Sequence, residues 1–222
     1  MSSATATTPP IANSTATSLG LVLSLFSMLI IRHVFRAISV EPGVGLTLAR
    51  ETCFFASAAL LLLLVRRSET LPWRSIGLGA SPLWKSLAWG VVIAVACVIP
   101  AVLLAKITGY GHGSASQAFA RLPLWTIFIV VVRAGVAEEL FYRAYSIERL
   151  RALGLGRIFS WAIPLAIFAG AHWTGGAANI LIALVLGAIL TAFYLWRRDL
   201  VANMFGHFLV DFVGNILPAL FS

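Results

Sequence analysis

Long apolar runs separated by short polar gaps recur along the whole chain, and most are the length of a bilayer crossing. A helix rises about 1.5 Å per residue, so about 20 mostly apolar residues cross a hydrocarbon core of roughly 30 Å. Seven stretches meet or approach that length: 18–39, 44–65, 85–106, 123–145, 158–173, 177–196 and 199–220. The fifth is short and contains Pro164. Residues 68–84 (SETLPWRSIGLGASPLW) are too interrupted to cross; Trp73 and Trp84 predict an interfacial stretch with both rings at headgroup level. Residues 1–17 are rich in Ser, Thr, Ala and Pro and carry no charged side chain, which predicts a disordered tail. They lack the basic start of a signal peptide, so no cleavage is expected, and the Asn13-Ser14-Thr15 sequon matters only in a host that glycosylates.

Composition agrees with this pattern. The 222 residues are 60% hydrophobic and 11% charged, with a mean hydropathy of +0.95, far from the mixture of a soluble domain. The expected fold is all-α: a polytopic transmembrane helical bundle of about seven spans (six to eight), forming one domain over residues 18–222. The net charge of +8 does not imply nucleic acid, because the basic residues sit in short connections between apolar runs. The loops after the second, fourth and sixth runs carry Arg66, Arg67, Arg74 and Lys85; Arg149, Arg151 and Arg157; and Arg197 and Arg198. In a seven-span chain these share one side, which the positive-inside rule makes cytoplasmic. The loops with Arg32 and Arg36, and with Lys106 and Arg121, are mildly basic and oppose that reading. Cys53 and Cys97 lie within apolar runs and read as small buried hydrophobes rather than a disulfide or metal pair. His33 and His112 read as interfacial.

Ionisable groups at membrane depth change the picture. Each costs about 2.5–3.5 kcal/mol on insertion scales, so such groups are functional candidates by default. Three clusters occur. Glu138, Glu139 and Arg143 follow the apolar run Trp125–Val132. Glu139 and Arg143 are four residues apart and share a helix face, while Glu138 is turned away. Arg143 is expected to neutralise Glu139, leaving Glu138 free to face a cavity and act as a base. His172 ends a run of small residues, beside Trp173. His207 and Asp211 are four residues apart on the last run. The blander readings are charges at a helix end, an interfacial histidine and a structural His–Asp pair. Together the three clusters could activate a water and hold an oxyanion.

The strings that carry these residues resemble a known family. EELFYR matches a Glu-Glu-x-x-x-Arg motif, FAGAH a Phe-x-x-x-His motif and HFLVD a His-x-x-x-Asn/Asp motif, in the family's order and on separate apolar runs. The family is the CPBP group of intramembrane proteases, which contains the type II CAAX prenyl endopeptidases, bacteriocin-processing and self-immunity proteins, and abortive-infection-type proteins. The resemblance covers roughly residues 120–217. It implies a glutamate-dependent endopeptidase that uses no metal or other cofactor and acts on a prenylated CAAX-type or other membrane-associated peptide or protein substrate in a lipid bilayer. Carried over, it makes Glu138 and His172 the water-activating pair, makes His207 and Asp211 the lining of the oxyanion site, and gives Glu139 and Arg143 supporting roles. The implied location is a cell (inner) membrane, with the site open to the cytoplasmic side.

One position departs from the prenyl endopeptidases, which carry Asn where this chain has Asp211. An ionised Asp cannot donate to an oxyanion. Either Asp211 is protonated, or it orients His207 and His207 alone donates. Two other readings remain. Two histidines and two carboxylates could bind zinc, although there is no HExxH and no histidine pair at helical spacing. The buried groups could also serve a non-catalytic protein, as a proton relay in a transporter or within a scaffold or immunity protein that only binds.

Overall fold

A computed structural model describes residues 14–39, 43–110, 119–217 and 220; His112 and most of the expected tail lie outside them. Seven helices follow the apolar runs closely. They are α1 (Ser14–Ile38), α2 (Val44–Leu63, continued as a π-helical turn Leu64–Ser68), α3 (Leu83–Thr108), α4 (Leu124–Arg133, continued as π-helical Ala134–Tyr145 and α-helical Ser146–Ala152), α5 (Phe159–Gly170), α6 (Gly176–Arg197) and α7 (Leu200–Asp211, continued as π-helical Phe212–Ile216). No strand occurs among the described residues. The expected all-α bundle is borne out, and its expected interfacial stretch contains a short 3₁₀ turn, Trp73–Ile76, with Trp73 and Trp84 exposed. α1 begins four residues inside the expected tail.

Among the described residues, four helical stretches are long and apolar enough to cross a bilayer unaided: Ser14–Ile38, Val44–Ser68, Leu83–Thr108 and Trp173–Arg197. α5 and α7 are shorter, and α4 is interrupted by charge. The three helices bearing the ionisable clusters are therefore the ones that are not clean spans. Burial explains how they are tolerated. The π-helical part of α4 is enclosed almost completely, with Leu140, Phe141, Tyr142 and Tyr145 packed among Met28, Phe54, Leu61, Phe168 and Tyr194. α3 instead turns Val91, Val95, Ile99 and Leu103 outward as a lipid-facing surface. Its inner face presses on α7 so closely that a Cβ added at Gly206 would lie 2.6 Å from Ile93 Cγ2 and 3.0 Å from the Gly90 carbonyl oxygen. Cys97 is buried as expected, but Cys53 is exposed on the outer face of α2: an apolar run need not be buried in protein when lipid is the alternative.

Polar staples fix one end of the bundle. Glu69, 2% exposed, accepts from Thr17 Oγ1 (2.8 Å), Tyr145 Oη (2.9 Å) and Arg149 Nε (3.0 Å). Glu148 pairs with Arg198 (2.6 Å), and Asp199 caps α7 by accepting from the Ala202 amide while also accepting from Ser86 Oγ (2.8 Å). These contacts gather the loops that carry Arg66, Arg149, Arg151, Arg197 and Arg198 at a single end.

Candidate active site

The site is built at the other end, around the π-helical stretch of α4. π-helical winding is rare and recurs at functional sites; here it holds the whole string Glu138–Arg143. Glu138 and Glu139 are 2% and 0% exposed and face different partners. Glu139 Oε1 accepts from Arg143 Nη1 at 2.7 Å, the pairing expected from their spacing. Oε1 also accepts from His207 Nδ1 at 2.8 Å, and Oε2 accepts from Asn203 Nδ2 at 3.1 Å. Asn203 is locked in turn by the Leu190 carbonyl (2.8 Å). Glu139 is thus the hub that orients His207, so the orienting bond comes from Glu139 rather than from Asp211. Asp211 Oδ2 stands 3.8 Å from His207 Nε2, beyond hydrogen-bond reach.

Glu138 is not free, which corrects the expectation that the pairing of Arg143 with Glu139 leaves it so. Arg133, one residue past the apolar run, donates from Nη1 to Glu138 Oε1 and from Nε to Glu51 Oε2 on α2. Arg32 of α1 places Nη2 3.7 Å from the same Oε1 and donates from Nη1 to the Ala171 carbonyl at 2.8 Å. Burying this many ions is tolerated because each is paired. On Glu138 one oxygen is left over. Glu138 Oε2 is buried without a hydrogen-bond partner, and it lies 4.0 Å from His172 Nε2. His172 Nδ1 sits 2.8 Å from the Phe168 carbonyl. A carbonyl only accepts, so Nδ1 carries the proton and the lone pair of neutral His172 is on Nε2, directed at Glu138. The phenol of Tyr142, four residues after Glu138, is likewise buried and unpartnered. Phe168 joins the two halves: its ring is 4.8 Å from that of His172, 6.3 Å from that of His207 and 4.1 Å from the Arg143 guanidinium.

The three sequence strings therefore meet, and the comparison with known families agrees with them. Residues 120–213 match the model of the family described as type II CAAX prenyl endopeptidase Rce1-like. That segment is similar to the family over less than half of the chain. No curated protein and no solved structure matches the chain. The matched segment contains Glu138, Glu139, Arg143, His172, His207 and Asp211, and the similarity supports a CAAX-type intramembrane protease in general. It does not contain Arg32, Arg50 or Glu51, which helices outside it contribute to the carboxylate network. Sequence reasoning missed Arg32, Glu51, Arg133 and Asn203. Glu51 and Arg133 carried a usable signal, since each is a charge inside or bordering an apolar run. Among the described residues no three His, Cys, Asp or Glu side chains converge as metal ligands.

Depth of the site follows from α1. Thr17 touches Glu69 at the end that gathers the basic loops, and Arg32 touches the site, so the rise between them is about 22 Å. α5 sets off just after Arg157 and ends at Gly170, placing His172 at the far end of the bundle. α4 runs on to Ala152, so Glu138 too lies well away from the end that carries Arg149. The partly exposed site groups Arg32, His172 and Asp211 face this far end. The site and the basic loops thus lie towards opposite ends of the bundle.

Proposed function

We propose that the chain is an intramembrane endopeptidase in which Glu138 and His172 jointly activate a water. The observation that carries this reading is the buried, unpartnered Glu138 Oε2 facing His172 Nε2 at 4.0 Å. That separation is too long for a direct hydrogen bond and suits a shared water, which would satisfy both atoms. Arg133 and Arg32 engage Oε1, so Oε2 remains available. The water oxygen attacks the scissile carbonyl carbon as its proton passes to the Glu138–His172 pair. The C–N bond then breaks, and that proton goes to the departing amine. His207 would support the oxyanion: Nδ1–H is committed to Glu139, and Nε2, 3.8 Å from Asp211 Oδ2, has no hydrogen bond to it. For Nε2 to donate, His207 must carry both protons, and Glu139 and Asp211 on either side compensate that charge. On this reading Asp211 balances charge and does not donate, which accommodates an Asp where the prenyl endopeptidases have Asn.

The substrate is a peptide or protein held at the bilayer, prenylated or not. The test is cleavage in liposomes of a panel of prenylated and unmodified membrane peptides, by wild type and by Glu138→Ala, His172→Ala and His207→Ala, each with and without a chelator. Cleavage that survives chelation and is lost in all three variants supports the reading. Cleavage abolished by chelation replaces it with a metal mechanism. No cleavage by well-folded wild type replaces it with a binding role.

A further inference from the structure

Away from the site, the end of α2 and the interfacial stretch enclose a groove that the proposed chemistry does not use. Its larger part, about 600 Å³, is lined by Leu62, Pro72, Trp73, Arg74 and Leu78. An adjoining part of about 420 Å³ shares Leu62 and Trp73 and extends along α2 past Ala59 and Leu63 to Arg66. The walls are almost wholly apolar, and the groove is open to the surface.

Charge at the rim tells what would cover it. Arg66 and Arg67 end α2, and Arg74 lies in the 3₁₀ turn; all three are exposed. None forms an ion pair among the described residues. The acid of this loop, Glu69, is buried and committed to Arg149, Tyr145 and Thr17. Arg66 only reaches the Leu71 carbonyl (3.1 Å) and lies over the Trp73 ring (5.3 Å). Three uncompensated guanidiniums thus surround the headgroup-level mouth of an apolar groove that runs up α2 into the hydrocarbon layer. Guanidinium pairs with phosphate in a bidentate fashion, and each basic group near an anionic membrane surface adds to attraction.

We propose that this groove is a binding site for one anionic phospholipid. The phosphate sits among Arg66, Arg67 and Arg74, and one acyl chain lies along Leu62, Ala59 and Leu63 under the Trp73 ring. This inference does not depend on the protease reading.

The test is native mass spectrometry of the full-length protein in detergent, titrated with phosphatidylglycerol and, separately, with phosphatidylcholine and inorganic phosphate. The expected result is one phosphatidylglycerol held about tenfold or more tightly than phosphatidylcholine, with inorganic phosphate not competing. Arg66→Ala with Arg74→Ala should abolish that preference, Arg66→Lys with Arg74→Lys should keep part of it, and Trp73→Ala should weaken both lipids. The lysine pair guards against misfolding as the cause of loss. Equal binding of the two lipids, or a preference that survives the alanine pair in a folded protein, overturns the proposal.

Discussion

Glu138 Oε2 and His172 Nε2 face each other across 4.0 Å, although 34 positions separate them in the chain. α4 brings the carboxylate by its π-helical winding, and α5 brings the imidazole by ending at Gly170, so that the next turn carries His172 inward. Neither group completes its hydrogen bonds with protein. His172→Ala is expected to lower turnover by about 10²–10⁴-fold with little change in unfolding temperature, because a positioned base contributes on that scale. Turnover and thermal unfolding on the same detergent preparation check this. Near-normal turnover in the variant would remove His172 from the water.

Arg133 holds two acids at once, Glu51 and Glu138, with all three 3% exposed or less. Removing it leaves Glu51 with Arg50 alone and Glu138 with only the longer contact to Arg32. Arg133→Leu is expected to destabilise the fold by about 3–5 kcal/mol, read from denaturant or thermal unfolding. Arg133→Leu combined with Glu51→Gln should recover part of that loss. No recovery would mean that the Glu51 contact is incidental.

How much of this was legible in the chain depends on what sets each feature. Helix positions were legible because the bilayer fixes a length and an apolar composition; the seven runs match the seven helices to within a few residues at most ends. The Glu139–Arg143 pair followed from spacing. The fate of Glu138 did not. Its partners come from α1 and from the residue five positions before it, a pairing that π-helical winding permits and regular α periodicity does not suggest. Arg32 read as a loop charge because its position along α1 gives no sign that α5 ends against it. Asn203 carries no charge to draw attention, yet it holds Glu139.

Glu69 shows the same point at the opposite end. It ties Thr17 of α1, Tyr145 and Arg149 to the loop after α2. Glu69→Ala strands a buried Arg149 and is expected to cost about 3 kcal/mol of stability. The site lies far along α1, so cleavage by the folded fraction should be unchanged. A specific loss of turnover in folded protein would contradict the separation of the two ends.

Asp211 balances the charge of His207 without donating, so Asp211→Asn should keep turnover within about tenfold of wild type. His207→Ala should lose about 10²–10³-fold, the scale of one oxyanion donor. Initial rates on one substrate decide this. A loss in Asp211→Asn as large as in His207→Ala would make the carboxylate itself essential.

Single cysteines at Trp173 and Arg67, in a background with Cys53 and Cys97 replaced, should react with an impermeant thiol reagent from opposite faces of sealed vesicles. Both positions are exposed, one beside the site and one among the basic loops. The face that labels Trp173→Cys is the face on which the site opens. Labelling of both from one face would contradict the placement of the site.

The central claim is that one water, shared by Glu138 and His172, does the chemistry. Glu138→Gln tests it most directly, because the amide keeps the shape and the contact to Arg133 but cannot accept the proton of the water. In reconstituted liposomes with chelator present, wild type should cleave a membrane peptide, while Glu138→Gln, folded and still binding that peptide with similar affinity, should fall by 10³-fold or more, about the span of general base catalysis. Cleavage by Glu138→Gln within about tenfold of wild type would contradict the account.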